Sequence, residues 1–253
     1  MSKNRKNIAR DMTDRDKRVL LLLDSHAHDL CYLSVLLERL DYHVYTAMTA
    51  EEALEALTVI VPSLIITSLT IKDMDSLDLM RLLKKSPVVG AVPFITLVKR
   101  GNESEKARSL NAGAVDCIER PISPEQLYRA VEAIVGATPR TDLRIRTHQP
   151  VKVHDTEHDD FYGAYTLDLS ERGMFLRTVN PVSEQRRLSC QIHMYGRIVE
   201  VDAAVLYSNR TSGGSGYEQG MGLRFMHIAS NDRELLRWFI RSEVVRGITL
   251  ESV

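Results

Sequence analysis

Residues 140–173 read RTDLRIRTHQPVKVHDTEHDDFYGAYTLDLSERG, and this stretch decides how the second half of the chain folds. It opens with two arginines four positions apart, Arg140 and Arg144, and closes with an Asp-x-Ser-x-x-Gly pattern over residues 168–173. Between the two motifs, short runs rich in β-branched, aromatic and alternating apolar residues are separated by polar turn residues, which is typical of antiparallel strands. The stretch therefore predicts a β-rich domain that presents two clusters of functional polar side chains.

The β-type pattern continues toward the end of the chain. The strand candidates are 151–154, 163–168, 174–178, 188–194, 198–207 and 220–225. A glycine-rich stretch at 209–217 predicts a long hairpin loop. Residues 231–246 carry apolar side chains at helical spacing, which predicts one closing amphipathic helix. We therefore expect an antiparallel β-barrel with a C-terminal helix over residues 138–253.

The two motifs have the chemistry needed to hold a nucleotide with two phosphates. The planar guanidinium forks of Arg140 and Arg144 can bond phosphate oxygens or guanine O6 and N7, and they can stack on a base. Asp168 can accept hydrogen bonds from guanine N–H groups, and Ser170 can donate to a phosphate or to a backbone group. Gly173 lets the chain turn without a side chain that would obstruct a ligand.

Taken in order on this β-rich background, the two motifs resemble those of the PilZ family, whose members bind cyclic di-GMP. The sequence Gly-Met-Gly-Leu-Arg-Phe at 220–225 is similar to the closing strand of that family. The resemblance implies a cyclic di-GMP site formed by Arg140, Arg144, Asp168, Ser170 and Gly173.

Each motif also has a plainer explanation when it is taken alone. Arginines four apart in a charged segment are commonly solvated, and Asp-x-Ser-x-x-Gly is a good turn sequence because Asp and Ser bond local backbone groups. Arg146, two residues past the first motif, is a further candidate with the same solvated alternative. The polar residues at 154–160 are interpreted as a loop between strands rather than a metal site.

The first half of the chain has a different sequence pattern, in which short apolar runs alternate with amphipathic segments. The strand candidates are 19–23, 43–47, 64–67, 93–98 and 115–118. Helix starts are marked by capping boxes at Thr49 with Glu52 and at Ser123 with Gln126, and Gly136 is a stop signal. This order predicts a doubly wound parallel α/β sheet over residues 18–137.

The order and spacing of these elements resemble the receiver domain of response regulators. That family needs an acidic pair, a nucleophilic Asp, a hydroxyl and a Lys for phosphorylation, with magnesium held by hard oxygen ligands. The matching positions here are Asp24-Ser25, Ser68, Val98 and Arg120, so only Asp24 is kept. The resemblance therefore implies a degenerate receiver that is not phosphorylated and that binds a protein partner or itself.

Composition restricts the remaining possibilities. With 33 basic and 34 acidic residues, the formal charge is -1, so no global field favours nucleic acid or an anionic membrane. Three widely spaced cysteines argue for a reducing compartment, and no apolar run is long enough to span a bilayer. We expect a cytoplasmic protein with a disordered leader at 1–17, without a membrane anchor or a metal site.

These observations predict a signalling effector rather than an enzyme, because no catalytic constellation is visible. Cyclic di-GMP binding would act through domain arrangement or partner contacts, since Arg140 and Arg144 lie next to the junction between the halves. The alternative is a constitutive interaction adaptor that no longer binds nucleotide.

Overall fold

The computed structural model describes residues 19–136, 142–210 and 218–247. Contacts divide the chain into two units, with the division between residues 141 and 142. The predicted boundary at 137–138 lies outside the described residues. The predicted leader at 1–17 and most of the predicted loop at 209–217 lie outside them as well.

The first unit is a five-stranded parallel sheet with helices between the strands, in the order β2-β1-β3-β4-β5. Its strands are β1 (Val19–Leu23), β2 (His43–Ala47), β3 (Leu64–Ser68), β4 (Phe94–Lys99) and β5 (Asp116–Arg120). Its helices are α1 (Ala27–Arg39), α2 (Ala50–Val59), α3 (Ser76–Leu83), α4 (Glu103–Ala112) and α5 (Pro124–Val135). The predicted α/β fold is confirmed.

Local sequence explains where these elements begin and end. Strands β1 and β3 are buried almost throughout, as continuous apolar runs in a sheet covered on both faces must be. The Thr49 hydroxyl accepts from the Glu52 amide at 3.1 Å and begins α2. The Ser123 hydroxyl accepts from the Gln126 amide at 3.2 Å and begins α5. Both predicted capping residues are confirmed.

The second unit is a closed antiparallel barrel of six strands, with a short seventh strand added to β8. Around the barrel the order is β8-β7-β10-β11-β12-β9, and β9 pairs with β8 to close the ring. The strands are β6 (Arg144–Arg146), β7 (Pro150–Asp155), β8 (Asp160–Ser170), β9 (Gly173–Arg177), β10 (Arg187–Met194), β11 (Arg197–Asn209) and β12 (Gly220–Ile228). Helix α6 spans Ser230–Val245, as the sequence pattern predicted.

Alternation along the strands fills the barrel with apolar side chains. Every second residue of β7 and β10 is buried, including Val153, Cys190 and Ile192. Burial raises the pKa of the Cys190 thiol to about 12. On α6 the side chains of Leu236 and Phe239 are fully buried, so this helix contributes to the core. Among the described helices, none is long and apolar enough to cross a membrane.

One buried polar contact in the first unit crosses ninety positions of sequence. The Tyr42 hydroxyl, between α1 and β2, donates to the Glu132 carboxylate on α5 at 2.7 Å, and both residues are buried. A buried carboxylate that loses its donor is left with an uncompensated desolvation cost. This bond therefore links α5 to the segment between α1 and β2.

Tyr42→Phe should reduce the stability of the first unit by about 1–3 kcal/mol, because Glu132 loses a buried donor. The measurement is urea-dependent hydrogen exchange of peptides from β1 and β3. Tyr45→Phe is the matched control, since Tyr45 is 44% exposed on β2 and its change should stay within about 0.5 kcal/mol. Equal stability of the two variants would contradict a stabilising role for the bond.

Candidate functional site

Strand β6 places the end of the arginine motif beside the Asp-x-Ser-x-x-Gly motif. Its antiparallel register sets Arg144 opposite Ser170 and Arg146 opposite Asp168. Ile145, between the two arginines, is buried, so the arginine side chains lie on the opposite, outer face of the strand. Sequence reasoning did not find this strand, because three residues of Arg-Ile-Arg carry too short a pattern.

Four of the five predicted site residues are therefore gathered where β6, β8 and β9 meet. Arg144 and Asp168 are half-buried, whereas Ser170 and Gly173 are buried at the hairpin that joins β8 to β9. Arg140 lies outside the described residues. The arrangement puts a guanidinium, a carboxylate and a tight backbone turn within one small area of the barrel surface.

Ser170 supports the hairpin itself. Ser170 and Gly173 face each other across the strand pair, and only two residues connect them. The Ser170 hydroxyl donates to the Gly173 carbonyl at 3.0 Å. Of the two roles predicted for this hydroxyl, the structure shows the bond to a backbone group. Its lone pairs can still accept a hydrogen bond.

Gly173 is required by a close approach between strands rather than by an unusual backbone angle. It does not adopt a left-handed φ. A Cβ added there would lie 2.3 Å from the Leu223 carbonyl oxygen on β12, and backbone atoms cannot move aside cheaply. The sequence pattern assigns this glycine to the turn and to ligand access. It does not reveal the close approach, which depends on a strand fifty residues away.

Two ion pairs hold the hairpin tip, and both were missed from sequence. The Arg237 guanidinium on α6 binds the Glu171 carboxylate in a fork, with distances of 3.0 and 2.8 Å. This fork, aided by the nearby Arg241 and Arg233, lowers the pKa of Glu171 against the opposing effect of partial burial. Arg172 pairs with Asp142 at 2.8 Å. The hairpin is thus joined both to α6 and to the arginine motif, which contains Asp142.

The sequence profiles of two known families match the chain in the same places as these two units. The profile of the response regulator receiver domain matches residues 20–132, and that of the PilZ domain matches residues 138–242. The chain contains a receiver domain over residues 20–132, followed by a PilZ domain over residues 138–242. Both are signalling domains rather than catalytic ones.

Curated relatives resemble about half of the chain. The phosphate regulon transcriptional regulatory protein PhoB of Pseudomonas aeruginosa is 26% identical over 151 residues, which are 60% of this chain and 64% of that protein. PhoB of Rhizobium meliloti is 34% identical over 107 residues, which are 41% of this chain and 47% of that protein. The chain thus spans about half to two thirds of the length of these relatives.

A match is also found among solved structures. A putative response regulator from Chloroflexus aurantiacus is 26% identical, with a TM-score of 0.45. The match covers 47% of this chain and 97% of that chain.

The arginine at the lysine position of the receiver domain, Arg120, pairs with the carboxylates that would have to hold a magnesium ion. Arg120 contacts the carboxylates of both Asp24 and Asp29, and the Asp24 side chain is fully buried. At the nucleophile position the Ser68 hydroxyl donates to a backbone carbonyl at 3.0 Å, and Val98 is buried without a polar group. These residues do not fit magnesium, which needs several free oxygen ligands, because the guanidinium already engages the carboxylates.

The other polar groups at this end of the sheet also make hydrogen bonds within the domain. The ligand atoms of Asp24, His26 and Asp29 lie within 4.8 Å of one another, which would suit a cation. One Asp24 oxygen, however, accepts from the His26 amide at 2.9 Å while the other contacts Arg120. Ser25, the second position of the acidic pair, donates to the Thr70 carbonyl at 3.2 Å. Both Asp24 oxygens and the Ser25 hydroxyl are therefore already engaged within the protein.

The polar residues at 154–160 in the PilZ domain form an ion-pair cluster around one arginine. Arg186 pairs with Asp155 at 2.6 Å and with Glu157 at 3.2 Å, and it also contacts His158. Burial is the largest single effect on the pKa of Asp155 and raises it, but the hydrogen bonds from Arg186 and from the Glu157 amide, together with the charges of Arg186 and His158, outweigh burial and lower the pKa. Asp155 is the buried end of β7 rather than a loop residue, which the polar sequence concealed.

Gly173→Ala should destabilise the PilZ domain by about 1–3 kcal/mol, because the added methyl group overlaps the backbone of β12. The measurement is the Tm of this domain in the full chain by calorimetry. Gly163→Ala is the matched control, since a Cβ on that β8 glycine would meet nothing within 4 Å. An unchanged Tm for Gly173→Ala, with cyclic di-GMP binding lost, would assign the glycine to ligand access instead.

Proposed function

We propose that this protein is a cytoplasmic signalling effector whose PilZ domain binds cyclic di-GMP through Arg140, Arg144, Asp168, Ser170 and Gly173. The observation that carries the proposal is the β6–β8 register, which sets Arg144 directly opposite Ser170. Two motifs separated by more than twenty residues of sequence thereby meet on one surface.

The chemistry of this surface suits a compact anionic ligand with two guanines. Arg144 supplies a fixed positive charge and a planar fork, which can bind a phosphate or a guanine Hoogsteen edge in bidentate fashion. Asp168 accepts from the guanine N1 and N2 donors. Because the hairpin is tied down through Glu171 and Arg172, these groups are held in place before the ligand arrives, which reduces the entropic cost of binding.

The position of Arg140 suggests how binding is transmitted. Helix α5 ends before Gly136 and the barrel unit begins at Asp142, so Arg140 belongs to the connection between the domains. A ligand held by Arg140 and Arg144 together restricts the backbone between them. In this mechanism the bound state permits fewer domain arrangements than the free state, and a partner can distinguish the two.

The receiver domain acts in this proposal as a protein-binding or self-associating module that is not phosphorylated. The support is the pairing of Arg120 with Asp24 and Asp29, together with Ser68 and Val98 at positions that need a carboxylate and a hydroxyl. A serine without a neighbouring base is a poor nucleophile. The near-zero net charge provides no support for nucleic-acid binding.

Cyclic di-GMP should bind the full chain, and Arg144→Ala should weaken that binding at least about tenfold. The reason is the loss of a charge-assisted contact, which contributes about 1.5–3 kcal/mol. Isothermal titration gives both dissociation constants. GMP and GTP should bind far more weakly, because neither carries two guanines on one compact ring.

Arg187→Ala on β10 is the matched control, since it removes an exposed barrel arginine away from the two motifs. Small-angle scattering should change with nucleotide for the wild type but not for Arg144→Ala at the same concentration. No heat of binding and no melting shift at saturating ligand would favour the constitutive adaptor instead. Tight binding with an unchanged scattering curve would contradict only the domain-arrangement mechanism.

Magnesium with beryllofluoride should leave the oligomeric state and the cyclic di-GMP affinity of the full chain unchanged. The physical reason is that Arg120 occupies the carboxylates that would hold the metal ion. Analytical ultracentrifugation and titration, each with and without the phosphoryl analogue, measure the two quantities. Incorporation of acid-labile phosphate from a small phosphodonor would show that the domain is phosphorylated after all.

A further inference from the structure

Two pairs of stacked aromatic rings lie on the outer surface of the barrel along β7 and β8, and the two rings of each pair are nearly parallel. The rings of His148 and Tyr165 have centroids 4.3 Å apart and planes 4° apart. The rings of His154 and Phe161 have centroids 4.1 Å apart and planes 1° apart. Tyr165 is 45% exposed and Phe161 is 55% exposed, so large planar groups face solvent here.

The first stack adjoins the two nucleotide motifs. His148 follows Arg146 by two residues, and Tyr165 precedes Asp168 by three, a distance of about 10 Å along an extended strand. Thr166 and Leu169 are fully buried, and the register shifts between Thr166 and Asp168. The shift leaves Tyr165 and Asp168 on the same outer face of β8.

Positive charge also accompanies this stack. Arg146 is exposed on the β6 side, and Arg177 lies opposite Tyr165 on β9, where it also pairs with Glu218 at 3.4 Å. His148 covers one face of the Tyr165 ring, and the exposure of Tyr165 leaves room for a further planar group. An exposed ring flanked by cations is the arrangement that binds nucleobases attached to phosphates.

We infer that the His148–Tyr165 pair is a stacking platform for one guanine of the cyclic dinucleotide held by the motifs. The inference rests on the proposed function and adds two residues to its site. In this arrangement Asp168 accepts from the donor edge of one guanine, and the second guanine lies along β8 with its flat face on Tyr165. The platform recognises a purine surface and leaves base identity to the polar groups.

The second stack is too far from the motifs to share this role. Phe161 precedes Asp168 by seven residues, about 23 Å of extended strand. The His154 ring is hydrogen-bonded through Nε2 to the Asp159 carboxylate at 2.9 Å, and the Lys152 ammonium lies 5.4 Å from the Phe161 ring centre. This stack is chemically similar but remote, so it provides a matched control.

Tyr165→Ala should raise the dissociation constant for cyclic di-GMP about 5- to 150-fold, because a base loses its aromatic partner. Tyr165→Phe should bind as the wild type does, because the ring is kept. Phe161→Ala should also bind normally, because it removes only the remote stack. Isothermal titration with the full-length variants measures these constants, and their melting temperatures verify folding.

A second measurement reports on stacking itself. The guanine H8 resonance of bound cyclic di-GMP should shift upfield with the wild type and with Tyr165→Phe. This ring-current shift should be lost with Tyr165→Ala and reduced with His148→Ala, which removes the ring that supports Tyr165 from behind. His148→Ala changes only the loop between β6 and β7, so it tests the platform even if Tyr165→Ala fails to fold.

The outcomes separate the platform from the proposed function. Unchanged affinity of Tyr165→Ala or His148→Ala, with binding lost in Arg144→Ala, would overturn the platform and leave the proposed function intact. Equal weakening by Tyr165→Ala and Phe161→Ala would also overturn it, because the effect would then be a general perturbation of β8. No binding to the wild type would overturn both.

Discussion

Strand β8 is the element on which the second half of the structure depends. Its first half pairs with β7, its second half pairs with β6 on the same edge, and β9 pairs along the other edge to close the barrel. Eleven residues thus carry three strand pairings. The register of those pairings places the arginine motif, the Asp-x-Ser-x-x-Gly motif and an aromatic stack on one outer surface. A one-residue slip would turn these side chains inward and the core residues outward.

Electrostatic pairing organises both domains, with different consequences. In the receiver domain a permanent side-chain cation, Arg120, is bonded to Asp24 and Asp29. An exchangeable ion can come and go with a signal, whereas a covalently attached guanidinium cannot. In the PilZ domain the pairs Glu171–Arg237 and Asp142–Arg172 leave the outer surface of β6 and β8 accessible while they fix the hairpin below it. In the receiver domain an internal cation binds the carboxylates, whereas the PilZ domain keeps charged side chains on an outer surface.

Much of this architecture could be predicted from local sequence. The caps at Thr49 and Ser123 depend on residues three positions apart, and the barrel strands depend on alternation. What escaped prediction depends on residues brought together by folding. Three features involve segments that are distant in sequence. Arg144 lies opposite Ser170, Gly173 lies too close to β12 to carry a side chain, and Glu171 pairs with Arg237. The candidate site residues were therefore proposed from the sequence, but it did not reveal their geometry or the contact that Gly173 makes with β12.

Closure of the barrel also determines where one copy of this chain could add a strand to another. Among the described residues, the six strands of the ring are each paired on both sides, and the short β6 carries two arginines that oppose strand addition. The parallel sheet, by contrast, ends in β2 and β5, whose outer edges are free of any partner strand among the described residues. Strand-to-strand aggregation or templated assembly would therefore begin at the receiver domain. Substitutions meant to prevent it should be placed on the edge strands β2 and β5.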